Sequence, residues 1–154
     1  MMKETRGMRN NNPLNFKYVK KNRWAGRVDE QQKRDPLFEE FKTMAYGLRA
    51  AIALLRKSYI MGGFNTVRLI VGRWCPPDTS EHNNTKAYVS FVEKEMQRVY
   101  PDMTADTPIR WWDAQRIYQL VRAMALVECG YKVSGEAFME AWKMLETSRV
   151  RGEG

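Results

Sequence analysis

The chain has 154 residues with an apolar fraction of 44% and 18 aromatic residues, five Trp, seven Tyr and six Phe. This composition excludes a disordered chain and suffices for one domain that buries its core without metals or disulfides. A net charge of +8 favours anionic partners such as nucleic acid, acidic lipid or bacterial wall polymers. We therefore predict a single domain over residues 1–154, and no apolar stretch of about 18 residues predicts a transmembrane segment.

The residue types that serve as metal ligands and nucleophiles are scarce. Cys75 and Cys129 lie outside any Cys-x-x-Cys spacing, and His82 is the only histidine. We predict no metal and no cofactor, and we favour free buried thiols over a disulfide, which stays an open alternative. Because His82 lies in a polar loop, a nucleophile activated by histidine is poorly supported.

The basic residues are dispersed except for one local cluster, and the motifs of nucleic-acid-binding proteins are absent. The cluster predicts either an anion-binding patch or a solvated face. No specific nucleic-acid partner is predicted. The members of the cluster are Lys17, Lys20, Lys21, Arg23 and Arg27.

The segment from Arg6 to Asn15 contains three consecutive asparagines followed by Pro13. Asn side chains bond neighbouring backbone groups and tolerate left-handed conformations, and proline restricts the residue before it. We therefore predict a shaped loop. Its carboxamides suit a ligand rich in hydroxyl and acetamido groups, such as a sugar, or else they brace the fold from within, which is the favoured interpretation. The candidate binding residues are Asn10, Asn11, Asn12 and Asn15.

Two short segments after this loop are the only strand candidates. Residues 16–19 alternate weakly between apolar and polar, and residues 37–41 could pair with them in a small hairpin. Between them, Trp24 lies two residues before Gly26, where a large ring beside a bare backbone suits stacking on a sugar face. A place at the edge of the core is the alternative for Trp24.

The rest of the chain predicts helices. Thr43 is a candidate N-cap for a helix that ends at Gly62, and Asn65 or Thr66 begins a second helix that Pro76 stops. A third helix begins near Thr85. Its predicted buried residues are Tyr88, Val89, Val92, Met96 and Val99.

A long helix is predicted over residues 109–129, with Gly130 as its C′ residue, and Ser134 caps a last helix. The apolar stripe of the long helix reaches Glu128 at the next i+4 step after Met124. A carboxyl group on a buried stripe has a raised pKa and can donate a proton. We identify Glu128 as the candidate catalytic acid, and the alternative is a residue that reaches solvent or bonds an arginine such as Arg9. No second carboxylate stands out among Asp29, Asp35, Glu39, Glu40 and Glu4.

Several motifs resemble a family of small phage and prophage proteins that are labelled virion structural or lysozyme-like proteins. The similarity covers most of the chain, and the polar segment 78–84 departs from it by its length. The motifs are Arg6-Gly7-x-Arg9-Asn10-Asn11-Asn12-Pro13-x-Asn15, Trp24-x-Gly26, Asp35-x-x-Phe38-x-x-Phe41, Gly47-x-Arg49-Ala50, Thr66-Val67, Arg73-Trp74-x-Pro76-Pro77, Tyr88, Val92 and Glu128-x-Gly130.

The string Glu128-Cys129-Gly130 is also similar to the helix end that carries the acid in lysozyme-like transglycosylases and glucosaminidases. In the glucosaminidases that helix precedes an Asn-rich loop, whereas here the Asn loop comes first. The resemblance therefore implies a mainly α, lysozyme-like fold with at most one small hairpin and a circularly permuted order. It also implies that a single glutamate suffices for transglycosylase chemistry.

Together these observations predict a phage or prophage protein that cleaves the glycan strand of peptidoglycan, as a glycoside hydrolase or lytic transglycosylase, with Glu128 as general acid and base. The alternatives are a non-catalytic virion structural protein of the same fold and a glycan-binding module. The predicted partners are peptidoglycan glycan strands, with other virion proteins or a pore-forming lysis protein as further candidates. We expect synthesis in the host cytoplasm and action at the cell wall, in the periplasm or as part of the virion.

Overall fold

A computed structural model describes residues 4–77 and 84–150, and the polar segment 78–83 with His82 lies outside the described part. Within those ranges the regular structure is helical, apart from isolated antiparallel bridges. The prediction of a mainly α fold with at most a small hairpin is confirmed. The elements are α1 Arg6–Arg9, α2 Met44–Ala53, a π-helix Leu54–Ile60, α3 Val67–Trp74, α4 Thr85–Gln97, α5 Ala114–Cys129 and α6 Gly135–Val150.

The chain divides into two compact units. Unit 1 comprises Met1–Ala53 and Ala125–Gly154, and unit 2 comprises Leu54–Met124. The single domain over residues 1–154 therefore stays a prediction. No helix within the described ranges is both long enough and apolar enough to cross a membrane.

In unit 1, α2 packs against α6. The apolar residues of these helices recur at helical spacing, so that each presents one buried face to the other. Thr43 accepts a hydrogen bond from the amide of Tyr46, and Ser134 accepts one from Ala137, which confirms both predicted caps. The buried residues of this helix pair include Leu48, Ala51, Ile52, Phe138, Ala141, Trp142 and Leu145.

The two predicted strand segments pair through a single bridge, and a second bridge joins the later segment to Arg27, which lies outside both. Lys17 pairs with Phe38 and Arg27 with Phe41, both in antiparallel orientation. Around the first bridge, the amide of Tyr18 donates to the carbonyl of Leu37 at 3.0 Å. Arg27 is half-buried, and the other four residues of the basic cluster are exposed, as a solvated face requires: Lys17, Lys20, Lys21 and Arg23.

In unit 2, α3 packs against α4 and contacts the π-helix. Thr66 caps α3 by accepting from the amide of Leu69, and Asn84 caps α4 by accepting from Ala87. Val67, Ile70 and Val71 are buried on one face of α3, as the spacing predicted. Neither Cys75 nor Cys129 forms a disulfide, as predicted, but only Cys129 is buried, whereas Cys75 is half-buried.

Three local predictions are wrong. The segment predicted as a loop from Arg6 begins with one helical turn, α1, because Thr5 caps it. Helix α5 begins at Ala114 rather than at residue 109, since the side chain of Asp113 accepts from the amide of Arg116 and starts the helix there. Val99 is 53% exposed because α4 ends at Gln97.

The apolar stripe of α5 also follows a different path at its end. Ala125 is fully buried and Cys129 is 4% exposed, whereas Glu128 is half-buried. The buried face thus continues by an i+4 step from Ala125 to Cys129 instead of from Met124 to Glu128. The turn ends at Gly130, whose φ of 71° confirms its predicted role as a C′ residue.

Candidate functional site

The Asn loop has the left-handed backbone that its sequence predicted. After α1, the amide of Asn12 donates to the carbonyl of Gly7 at 2.8 Å and that of Asn11 donates to Met8 at 3.2 Å. Asn11 and Asn15 have φ values of 52° and 49°, which asparagine tolerates better than most residues. The loop therefore reverses the chain within unit 1 and directs each of its carboxamides to a fixed place.

Asn12 is fully buried, and its carboxamide is completely engaged by backbone groups. Its Nδ2 donates to the carbonyls of Phe16 at 2.9 Å and Glu39 at 3.1 Å. Its Oδ1 accepts from the amide of Phe16 at 3.2 Å. A carboxamide has two N–H donors, so no donor of Asn12 is left for a ligand.

The carboxamides of Asn10 and Asn11 also bond within unit 1. Asn11 Nδ2 donates to the carbonyl of Phe41 at 3.0 Å, and Asn10 Nδ2 donates to the carboxylate of Asp35 at 2.9 Å. The backbone of Asn10 accepts from the amide of Phe41 as well, at 2.9 Å. These bonds tie the loop to the segment that ends in the second bridge.

The last two predicted binding residues, Asn15 and Trp24, are half-buried. Asn15 Oδ1 and Trp24 Nε1 are enclosed and have no hydrogen-bond partner among the described residues. The ring of Trp24 packs edge-on against Phe16, which packs in the same way against Phe41. Neither polar atom faces solvent, so a ligand could reach them only if neighbouring side chains moved.

The end of α5 lies directly against the Asn loop. The hydroxyl of Thr5 donates to the carbonyl of Cys129 at 2.8 Å, and the thiol of Cys129 donates to the carbonyl of Pro13 at 3.2 Å. Gly7 permits this approach, because a Cβ added there would lie 2.7 Å from Cys129 Cβ. Glu128 thus occupies the helical position beside a residue that contacts the loop, although more than a hundred residues separate them in sequence.

The environment of Cys129 makes it a structural thiol. Burial raises the pKa of its thiol, and the nearby Glu128 carboxylate raises it further. Since the thiolate is the reactive form, a raised pKa makes this cysteine a poor nucleophile.

The carboxylate of Asp35 accepts four hydrogen bonds. Its Oδ1 accepts from the amides of Leu37 and Phe38, and its Oδ2 accepts from Arg6 Nε at 2.8 Å and from Asn10. Burial opposes ionisation, but the hydrogen bonds from Asn10, the two amides and Arg6 outweigh it and hold the pKa of Asp35 well below its usual range. Asp35 therefore stays ionised and is unsuited to donating a proton.

The other candidate carboxylates of this segment are also engaged. Glu39 is fully buried and forms a bidentate ion pair with Arg27, with distances of 2.7 Å and 2.8 Å. Glu40 Oε1 accepts from the amides of Arg34 and Asp35. Asp29, by contrast, is exposed. The buried carboxylates brace the non-helical segment instead of facing an open cleft.

A cavity of about 520 Å³ opens beside Asp35. Glu128, Trp24 and three of the four candidate asparagines are not among the residues that line it. Of the sequence-based candidates, only the binding residue Asn10 and the carboxylates Glu4 and Asp35 line the cavity. The lining residues are Glu4, Arg6, Arg9, Asn10, Arg34, Asp35 and Pro36.

Sequence reasoning missed the role of Arg6, Arg34 and Asp35 in this cavity. Arg6 and Asp35 do belong to motifs that carry the family resemblance, but they lie 29 residues apart in sequence. Nothing in the local spacing indicates that they pair. Arg34 gives no signal beyond its charge.

Comparison with known proteins links the chain to a phage. No protein-family model matches it. The chain is similar to Protein P5 of Pseudoalteromonas phage PM2, with 40% identity over 89 residues, which cover 56% of this chain and 52% of P5. The chain thus matches about half the length of this relative. The similarity supports a place among phage proteins.

Proposed function

We propose that the chain is a non-catalytic structural protein of a phage particle. The observation that carries this proposal is the complete engagement of Asn12, whose buried carboxamide forms three hydrogen bonds to backbone groups. A group used in this way stabilises a loop and offers nothing to a saccharide. The similarity to a phage protein supports the same role.

The distribution of carboxylates also favours a role without catalysis. Glycosidic cleavage needs a carboxylic acid beside the leaving oxygen, and most glycosidases add a second carboxylate on the far side of the sugar. In unit 1 the half-buried carboxylate of Asp35 and the buried ones of Glu39 and Glu40 are hydrogen-bonded to arginine or to backbone amides. A paired acid and base is therefore not supported.

The experiment is to purify particles of the phage or induced prophage that encodes the chain, and to measure its copy number per particle by quantitative mass spectrometry. A structural protein should be present at a fixed number of copies and should resist removal by salt washes. Purified protein added to isolated peptidoglycan should release no soluble muropeptides. Absence from washed particles would overturn the proposal.

A second candidate function is glycan cleavage by Glu128, and one observation favours it. The contacts of Cys129 with Thr5 and Pro13 hold the end of α5 against the Asn loop, as a permuted lysozyme-like arrangement requires. Positive charge would then hold the protein on an anionic wall. A glycan-binding module would share this surface without the proton transfer.

Glu128→Gln tests this candidate, because the amide keeps the size of the side chain and removes the transferable proton. If Glu128 is the acid, muropeptide release should fall by at least about 100-fold while the melting temperature is retained. Release by the folded variant at the wild-type rate would exclude Glu128 as the acid. Release by neither protein supports the structural role, and binding of peptidoglycan without release would favour the glycan-binding module.

A further inference from the structure

We propose that the cavity beside Asp35 is a binding site for an oxyanion, a phosphate or carboxylate group, held by the guanidinium groups of Arg9 and Arg34. Its volume of about 520 Å³ is within the range of small-ligand sites, roughly 300–1,000 Å³. The site is distinct from the Asn loop carboxamides and from Glu128, and it does not depend on the proposed structural role.

Hydrogen bonds to Asp35 hold the side chains of Arg6 and Asn10 at the cavity. Arg6 gives its Nε–H to Asp35, and its guanidinium carbon lies 4.5 Å from the centre of the Phe38 ring. Asp35 is fixed in turn by Asn10. One side of the cavity is therefore electrically neutral, because the positive charge of Arg6 balances the negative charge of Asp35.

Arg9 and Arg34 supply the excess positive charge. Arg9 donates from Nη1 to the carbonyl of Glu4 at 2.9 Å, which uses one of its five N–H groups. The backbone amide of Arg34 is held by Glu40 Oε1 at 2.7 Å, while its guanidinium has no partner within the described residues. Two exposed guanidinium groups with unused donors thus flank one cavity. Guanidinium groups bind carboxylate and phosphate through paired N–H donors.

One acidic side chain opposes an anion in this place. Glu4 lines the cavity and is exposed. The lining therefore carries three positive and two negative side chains, and the negative charge of Asp35 is already compensated by Arg6. A bound oxyanion would balance the remaining positive charge of Arg9 and Arg34. It follows that removal of the Glu4 charge should strengthen binding.

The test is a titration of the full-length protein, followed through the NMR signals of the arginine Nε–H groups. The two probes are inorganic phosphate and citrate, added at constant low ionic strength against sodium chloride. Saturable shifts are expected for the cavity arginines with at least one probe. Saturable shifts with phosphate but not citrate would identify a phosphate ligand. Saturable shifts with citrate but not phosphate would identify a carboxylate ligand.

Matched variants separate a site from general charge attraction. Arg34→Gln and Arg9→Gln should each weaken binding by about tenfold, the effect of losing charge-assisted hydrogen bonds worth about 1.5 kcal/mol. Glu4→Gln should tighten it, and Arg23→Gln, which removes an exposed charge outside the cavity, should leave it unchanged. The proposal is overturned if neither probe gives saturable shifts, or if the Arg23 and Arg34 variants weaken binding equally. Such a failure would leave the structural role untouched, since particle content tests that role separately.

Discussion

At the residue scale, the polar side chains of unit 1 act mainly as internal braces. Asn12, Asp35 and Glu39 each satisfy several backbone or side-chain groups in a segment with almost no regular structure. Buried backbone groups without partners are costly, and a short irregular segment cannot pair them through a sheet. Side chains therefore take over the pairing that strands would otherwise supply.

Asn12→Ala should destabilise the protein strongly. The substitution leaves the carbonyl of Glu39 and the amide of Phe16 without their partner, at a cost of about 1–3 kcal/mol for each group that stays buried and unpaired. The carbonyl of Phe16 keeps its bond from the amide of Glu39. Urea unfolding followed by circular dichroism measures the change. Gln31→Ala, which removes an exposed carboxamide, is the control and should change stability by less than about 0.5 kcal/mol. Equal stability of the two variants would show that the bonds of Asn12 do not brace the loop.

Asp35 gives the protein an acid-sensitive contribution to stability. Because its folded pKa lies below its unfolded pKa of about 3.9, the ionised form stabilises the fold above that value, and the contribution is lost as pH falls through the folded pKa. We predict that the stability difference between wild type and Asp35→Asn is largest above about pH 5 and shrinks steadily towards pH 2. Thermal unfolding at a series of pH values measures it. A difference that stays constant over this range would contradict the assignment.

At the element scale, close approach between helix and loop explains the Gly47-x-Arg49 motif. A Cβ at Gly47 would lie 1.7 Å from the carbonyl oxygen of Asn11, so only glycine allows α2 to touch the Asn loop. Arg49 is 8% exposed and donates to the hydroxyl of Ser148 at 2.9 Å, which links α2 to α6. The motif therefore joins three elements of unit 1, and its residues have structural roles.

Gly47→Ala should destabilise unit 1 by at least about 1–3 kcal/mol, because a backbone atom has to move to admit the methyl group. Gly72→Ala is a matched control in α3, where an added Cβ meets nothing within 4 Å. That substitution should instead stabilise the protein by about 0.5–1 kcal/mol, since alanine favours a helix interior. Melting temperatures of the two variants should move in opposite directions. A shift of the same sign would refute the steric explanation.

At the scale of the whole molecule, the two units differ in the number of chain segments that form them. Unit 2 is one segment, whereas unit 1 is assembled from two segments that flank it. The second segment of unit 1 supplies α6, which packs against α2 in the first. Closing this contact across the unfolded intervening chain would cost more entropy than closing it once that chain is compact.

We therefore predict that the protein unfolds in one cooperative transition. If unit 2 unfolds first, the two segments of unit 1 are joined only by a long flexible chain. The entropic cost of holding α2 against α6 then rises, which destabilises unit 1. Circular dichroism and tryptophan fluorescence should give coincident urea transitions, as expected of a single domain. Two separated transitions would show that the units fold independently, against the single domain predicted from the sequence.

The sequence alone determined the helical class, the caps at Thr43 and Ser134, and the left-handed turn at Gly130, because these depend on neighbours within a few residues. It narrowed the cap of α3 to Asn65 or Thr66, and the structure selects Thr66. It also indicated a shaped Asn loop. Only the tertiary structure decided what the loop carboxamides bond, because their partners, such as Glu39 and Phe41, lie 27 and 30 residues away. For the same reason the structure alone brought Arg6 to Asp35, beside the cavity that Arg34 also lines. Local patterns fix backbone conformation, whereas the partner of a polar side chain depends on which distant segments pack together.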